Sequence, residues 1–130
     1  MATKTAAAAF RKALTAKLKA IGHPVSDGVN SWPRVQIEDV TESDSIDKGY
    51  DVRELGFVVE VVSRTDYGLA AGIMDEIEDA LIGVETVSPA GWTVLEIYRE
   101  LGSETHTVGE ADQLEISRRT QFRANVSRNQ

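Results

Sequence analysis

The sequence has 130 residues, of which 42% are hydrophobic and 27% charged, and its formal net charge is −7. This length and composition are typical of one globular domain and exclude a disordered chain and a protein with apolar membrane spans of about 20 residues. The absence of cysteine also excludes disulfides, thiolate metal sites and a cysteine nucleophile.

The N-terminal part is predicted to begin with a helix over residues 5–21, because Phe10, Leu14 and Leu18 fall on one arc of a helix. A loop rich in turn-forming residues follows. Residues 34–40 alternate between apolar and polar side chains, a pattern that predicts the first strand. The polar residues 41–51 are too many for a tight turn, so we expect a projecting loop between two antiparallel strands.

The central segment, residues 55–83, is predicted to form a strand that leads directly into a helix. Apolar side chains occupy one face of the strand, and the other face is mixed, with Glu54 and Glu60 on it. Either Thr65 or Asp66 could cap the helix, and Gly83 could end it. The helix has an apolar stripe made of Leu69, Ile73, Ile77 and Leu81. A helix of this kind is expected to fold back across the sheet.

Two further strands are predicted in the C-terminal part, over residues 92–101 and 114–126, with a second long polar loop over residues 102–112. The last strand alternates regularly except at Arg118, which falls on the apolar face. We expect Arg118 either to pair with an acid or to reach a subunit boundary, because an unpaired charge on such a face is unfavourable.

The order of elements is helix, strand, strand, helix, strand, strand. It predicts an α+β fold with a single four-stranded, largely antiparallel sheet and both helices on one face. We expect one domain over residues 1–130, with residues 1–4 and 128–130 as flexible ends.

Catalytic motifs are missing from the sequence. It contains no glycine-rich phosphate loop, paired-histidine zinc motif, nucleophile elbow or EF-hand loop. His23 and His106 are interpreted as surface residues, and the acidic residues between 38 and 51 do not have the spacing of a calcium loop. We therefore predict no catalytic, cofactor-binding or metal-binding residue, no cofactor and no enzymatic activity.

The distribution of charge leaves two interpretations open. Residues 1–24 carry five bases and no acid, the middle of the chain is acidic, and arginines return near the end. An acidic middle argues against nucleic-acid binding. In the first interpretation, the charged regions are solvated surfaces. In the second, they are the two sides of a subunit boundary. The basic first helix or the arginine-rich last strand of one copy would then meet Asp75 and Asp79 of another. The glycines beside these aspartates, Gly68 and Gly72, fit either a frayed first turn or a close approach of that neighbour.

Four phrases of the sequence, in this order, resemble the tail terminator (tail completion) proteins of long-tailed bacteriophages and phage-like particles. They are WPRVQIEDVTESDS, DVRELGFVVEVVSR, GLAAGIMDEIEDAL and RRTQFRANVSR. The resemblance extends over about residues 5–128. It rests on the order of elements, since the family has no short catalytic signature.

The resemblance implies a structural protein of the virion, located at the junction of tail and neck and assembled in the cytoplasm of the bacterial host. Its members form a hexameric ring that caps the tail tube, stops its polymerisation and joins a head-side connector protein. They need no cofactor and have no membrane partner. DNA passes through the ring without specific binding, which suits six copies with six times −7, about −42 charges in all.

Polar positions on the predicted loops, the central segment and the last strand are the candidate contacts with a second subunit or the tube. These residues are Ser43, Asp44, Asp47, Lys48, Glu60, Gly68, Gly72, Asp75, Asp79, Glu104, His106, Arg118, Arg119 and Arg123. The two loops could equally be idle surface. Two other functions remain open, a different neck or head completion connector and a small ligand-binding regulatory domain.

Overall fold

The computed structural model describes residues 5–26, 32–44, 51–64, 68–108 and 114–129, with the backbone alone at Asp39, Asp44, Thr107 and Val108. The elements in chain order are α1 (Ala6–Ala20), β1 (Arg34–Asp44), β2 (Val52–Ser63), α2 (Leu69–Leu81), β3 (Trp92–Val108) and β4 (Leu114–Arg128). The strands form one sheet in the order β1-β2-β4-β3, and all neighbouring pairs are antiparallel. The α+β class, the two helices and the antiparallel sheet are therefore confirmed.

The strand count is close to the prediction but does not match it fully. Outside the four long strands, Gly83 forms an isolated bridge with Ile97 on the outer side of β3. Gly83 has a φ of 138°, a value that favours glycine, so the chain can turn from α2 directly onto the sheet edge. The sheet therefore gains a fifth, one-residue segment that the periodicity of the sequence did not indicate.

Both helices pack on the same face of the sheet. The ring of Phe57 on β2 lies 5.1 Å from the rings of Phe10 on α1 and Phe122 on β4. On that same face, Thr120 of β4 donates a hydrogen bond of 2.8 Å to Glu78 of α2. The three phenylalanines are fully buried, and they form the centre of the core.

The first predicted loop is wrong over residues 41–44, which belong to β1, and residues 45–50 lie outside the described part of the chain. An extra residue between Glu38 and Thr41 shifts the register with β2, and β1 then pairs again as far as Arg53. The shift also reverses the alternation, so that Glu42 lies on the helix face. There it accepts a hydrogen bond of 2.7 Å from the backbone N–H of Ala7 and holds the start of α1.

The second predicted loop is wrong over residues 102–108, which belong to β3 and pair with β4 from Leu114 to Thr120. A polar sequence forms a strand here because its backbone groups are satisfied by a long neighbouring strand. Two register shifts, near Leu95 and Glu100, change which β3 side chains face the core. Val94 and Ile97 are therefore both buried, which a strict alternation does not allow.

The second helix differs from its prediction at three positions. Its N-cap is Gly68, which makes no side-chain cap, whereas Thr65 and Asp66 lie outside the described residues. Leu69 is 38% exposed and is not part of the core. Glu78 lies outside the predicted apolar stripe but is bound to the sheet, because β4 supplies the hydroxyl of Thr120.

The end of the chain is held as far as residue 129. The backbone N–H of Arg128 donates to the carbonyl of Asp51, and that of Asn129 donates to the carbonyl of Gly91, both at 2.9 Å. Among the described residues, no helix combines the length and hydropathy needed to cross a membrane.

Candidate functional site

The sheet has one face without a helix, which we call the open face. In its central rows, the antiparallel pairing places Gln36, Glu60, Arg119 and Ser103 side by side, and then Glu38, Val58, Gln121 and Leu101. Paired residues in such a sheet share a face, so these side chains all point away from the helices. Glu60, Arg119 and Arg123 were predicted as contact residues, and they lie together on this face.

Several charges at the centre of the open face are paired within the chain. Arg119 forms ion pairs with Glu38 and, at 3.9 Å, with Glu60. Glu60 also accepts a hydrogen bond of 2.7 Å from the hydroxyl of Ser117. These side chains therefore form a cross-strand network over β1, β2 and β4.

Arg123 forms a second network on the open face. It lies 2.9 Å from Glu54 and 2.8 Å from Glu100, so it joins β4 to both of its neighbours. The hydrogen bond with Glu100, followed by the charges of Glu100 and Glu54, raises the pKa of Arg123 above its ordinary value. At the neighbouring Gly56, a Cβ would stand 3.0 Å from the Oγ1 of Thr41, so glycine leaves room for that side chain.

Three further predicted residues meet on the helix side of the β3–β4 hairpin. Glu104 lies 3.0 Å from the ring of His106 and 3.5 Å from Arg118. The hydrogen bond from His106 is the largest cause that lowers the pKa of Glu104, and the charge of Arg118 adds to it. The expectation that Arg118 pairs with an acid is confirmed, because it faces Glu104 across the hairpin.

The outward surface of the two helices carries charges of opposite sign. Arg11, Lys12 and Lys19 are exposed on α1, and Asp75 and Asp79 are exposed on α2. In the described ranges, none of these five side chains forms an ion pair with another residue of the chain. The predicted contact of Asp75 and Asp79 with an arginine-rich strand is therefore less suitable than one with α1, since the arginines of β4 on the open face are already paired.

The remaining predicted residues lie at separate places. Gly68 caps α2, Gly72 is exposed one turn later, and Ser43 lies near the end of β1. Asp44 ends β1, and its side chain is outside the described part of the structure. Asp47 and Lys48 also lie outside the described residues.

Each of the two tryptophans lies between arginines at one end of the sheet. The ring of Trp92 has the guanidinium carbons of Arg53 and Arg128 at 5.5 and 5.0 Å from its centroid. Both arginines also bind Asp51, and the hydrogen bond from Arg53 is the main cause that lowers the pKa of Asp51. These contacts close the end of the sheet where β2 begins and β4 ends.

At the opposite end, Trp32 has Arg34 and Arg64 at 4.8 and 3.8 Å from its ring centroid. Arg64 also pairs with Glu115 at 3.3 Å. Sequence reasoning missed both tryptophan–arginine groups, because Arg53, Arg64 and Arg128 are far in sequence from the tryptophans that they contact. Only the presence of tryptophan in otherwise polar stretches could have indicated them.

The described residues contain no group of three or more histidine, aspartate and glutamate side chains that could hold a metal ion. A cavity of about 560 Å³ lies between the end of α1 and the start of α2, where His23 contacts Glu76 at 2.5 Å. This pair joins the chain just after α1 to α2.

No protein-family model matches the sequence, and no curated protein matches it. Among solved structures, the chain is similar to one chain of a structure described as "Virion of native gene transfer agent (GTA) particle". The TM-score is 0.70 at 20% sequence identity, and the likeness covers 95% of this chain and 99% of that chain. At this level of identity, the likeness shows a common fold.

Proposed function

We propose that the protein is a structural component of a phage-like virion. The observation that carries this proposal is the likeness in fold to a chain of a gene transfer agent virion, which extends over nearly the whole of both chains. An accidental match to one supersecondary motif would leave large parts of either chain unmatched. The proposal thus concerns the complete described domain.

Within the virion, we propose the role of a tail terminator. The order of elements and the four phrases of the sequence support this role. The ion-pair networks on the open face of the sheet also support it, because they are structural contacts. The protein would form a ring, expected to be hexameric, on the last ring of the tail tube. It would stop tube polymerisation and bind a head-side connector on its other side, while DNA passes through the lumen.

The acidic character of the chain suits the passage of DNA through the lumen. The formal net charge is −7, and Arg119 and Arg123 on the open face are each held by two glutamates. A lumen formed by such a surface would offer few free cations to the phosphates of DNA. The genome would therefore pass without being retained.

Electron microscopy tests the proposal directly. Negative-stain images of the purified protein, alone and mixed with tail tubes, are expected to show rings that bind only at tube ends. In particles assembled without the protein, tubes are expected to grow beyond their normal length. Normal tails in its absence would overturn the role of terminator.

A second candidate function is another neck or head completion connector, which the same likeness to a virion chain also favours. The bound partner separates the two roles. Co-purification with the tube protein favours the terminator, whereas co-purification with head proteins alone favours the connector. A deletion of residues 43–48 that leaves tail length unchanged would show that this segment does not contact the tube.

A further inference from the structure

One margin of the molecule combines exposed apolar side chains with an open strand edge. Five of the six exposed large apolar side chains in the described ranges belong to β3 or to the short segment before it. They form what we call the β3 margin, which consists of Ile82, Val84, Leu95, Tyr98 and Leu101. Val84 and Leu101 are the most exposed of them, at 71% and 61%. Exposed apolar side chains gathered at one side are typical of an interaction surface.

The backbone brings these side chains into one strip. Gly83 and Ile97 exchange two backbone hydrogen bonds of 3.0 and 2.8 Å, and the N–H of Glu85 donates to the carbonyl of Val94 at 3.1 Å. The antiparallel register therefore places Ile82 beside Tyr98 and Val84 beside Glu96. From Tyr98 to Thr105, no described residue pairs with the outer edge of β3, so this stretch of the strand edge continues the strip.

The charges around the β3 margin identify the kind of partner. Asp79, Glu85 and Glu96 are exposed near it, and none of them has an ion-pair partner among the described residues. A partner with small apolar side chains and several free cations would match this strip. The exposed side of α1 has that chemistry, because Arg11, Lys12 and Lys19 alternate there with exposed alanines.

The two surfaces lie at opposite margins of the sheet. α1 packs over β1, where Arg11 reaches the carbonyl of Ile37, and α2 packs over β2, β4 and β3. Within one molecule, α1 approaches the segment before β3, where Ala13 and Ala16 line a cavity with Ser88 and Ala90. β3 itself is the other edge strand of the sheet, so Leu101 lies on the opposite side of the sheet from β1 and is open to a second copy.

We infer that the β3 margin of one copy binds the α1 side of a second copy, in a head-to-tail contact. A contact between two different surfaces repeats around an axis and closes into a ring when the rotation allows it. The inference rests on the proposed ring-forming function and names the surfaces that would build the ring. Acidic side chains around the strip and basic ones on α1 would fix the direction of assembly.

Cross-linking of engineered cysteines distinguishes this contact from a two-fold one. Because the chain has no cysteine, Thr15→Cys on the exposed side of α1 and Val84→Cys on the β3 margin provide two unique sites that retain the charges. With a short bismaleimide, the double variant is expected to give a ladder of covalent oligomers larger than dimers. Each single variant is expected to remain uncross-linked.

The matched control is the double variant Thr15→Cys with Gln36→Cys, which moves the second cysteine to the open face of β1, at the other edge of the sheet. It is expected to give no ladder. Dimers from Val84→Cys alone, a ladder from the control, or a monomeric wild-type protein in light scattering would each overturn the inference.

Charge reversal provides a second test that does not depend on cross-linking. Lys12→Glu with Lys19→Glu is expected to raise the dissociation constant of the oligomer by about tenfold or more, with an unchanged circular dichroism spectrum. Adding Asp79→Lys and Glu85→Lys should restore association. Failure of this rescue would contradict the head-to-tail contact.

The two proposals fail in different ways. If rings form and cap tubes but the cysteines at Thr15 and Val84 are not cross-linked, the surfaces are wrong and the function stands. If the ladder forms but the rings do not bind tails, the surfaces are right and the proposed function is wrong.

Discussion

On the open face of the sheet, Arg119 and Arg123 each lie between two glutamates of the same chain. On the helix side, Lys12 and Lys19 of α1 form no ion pair with an acidic residue in the described ranges. The exposed aspartates of α2, Asp75 and Asp79, likewise form no ion pair with a described basic residue. Charges paired within the chain can support the register of the strands. Charges without such pairs contribute little to folding and remain available to a partner. By this difference, the open face has a structural role, and the outward side of the helices is the proposed binding surface.

The core between these two surfaces should show the largest effect. Phe57→Ala removes a ring that contacts both Phe10 and Phe122, and it leaves a cavity in a fully buried site. We expect a loss of about 3 to 5 kcal/mol in the free energy of unfolding, measured by urea denaturation. A loss below about 1 kcal/mol would mean that the core can collapse around the gap. Phe57→Leu, which retains most of the volume, is the control.

The attachment of α2 to the sheet should show the next effect. Glu78→Ala leaves the hydroxyl of Thr120 without its acceptor, although Thr120 is only 2% exposed, and it also removes the partner of Arg99. We expect a loss of about 1 to 3 kcal/mol in the free energy of unfolding. Glu78→Gln keeps an acceptor for Thr120 and should lose less. Equal losses in the two variants would show that the charge, and not the hydrogen bond, matters.

A matched pair of cation deletions compares the two surfaces directly. Arg119→Ala breaks the pairs with Glu38 and Glu60 and should lower the free energy of unfolding by up to about 1 kcal/mol, with a smaller effect at high salt. Lys19→Ala removes a side chain without an ion pair in the described structure and should change the free energy by less than about 0.5 kcal/mol. The same Lys19→Ala variant should weaken self-association, whereas Arg119→Ala should not. The reverse result, measured by light scattering, would exchange the roles of the two surfaces.

The smallest effect concerns the hairpin cluster. The pKa of Glu104 is expected below its ordinary value of 4.5, because His106 and Arg118 favour the carboxylate. A group with a lowered folded-state pKa stabilises the fold above its unfolded pKa, and this contribution is lost as the pH falls through the folded value. The cluster should therefore be intact at neutral pH and weaken below about pH 4.5.

Carbon-detected NMR titration of the Glu104 carboxyl measures this pKa. His106→Ala is expected to move it back toward 4.5 more than Arg118→Ala, because the hydrogen bond from His106 is the larger cause. An unchanged value in His106→Ala would contradict the assignment.

The fold could be predicted from the sequence where hydrophobic periodicity was strong. Leu55, Phe57 and Val59 alternate without interruption and are buried as expected. The helices were also recovered, because their apolar stripes have a regular spacing of three and four residues. These signals are local, so one chain segment is sufficient to reveal them.

The errors occurred where a distant strand determines the structure. The polar residues 102–108 form a strand because β4 runs beside them, and Glu42 turns inward because of one extra residue after Glu38. Neither effect leaves a periodic trace in the sequence. The site was anticipated in part, since Glu104 and Arg118 do meet, but the glutamate partners of Arg123 come from two other strands.

The placement of the tryptophans has a practical consequence for spectroscopy. The chain has two tryptophans, and they lie at opposite ends of the sheet, each within about 6 Å of two guanidinium groups. Replacing one by phenylalanine leaves a single fluorophore that reports on one end alone. Contacts that form at either end of the sheet could then be followed as two separate optical signals.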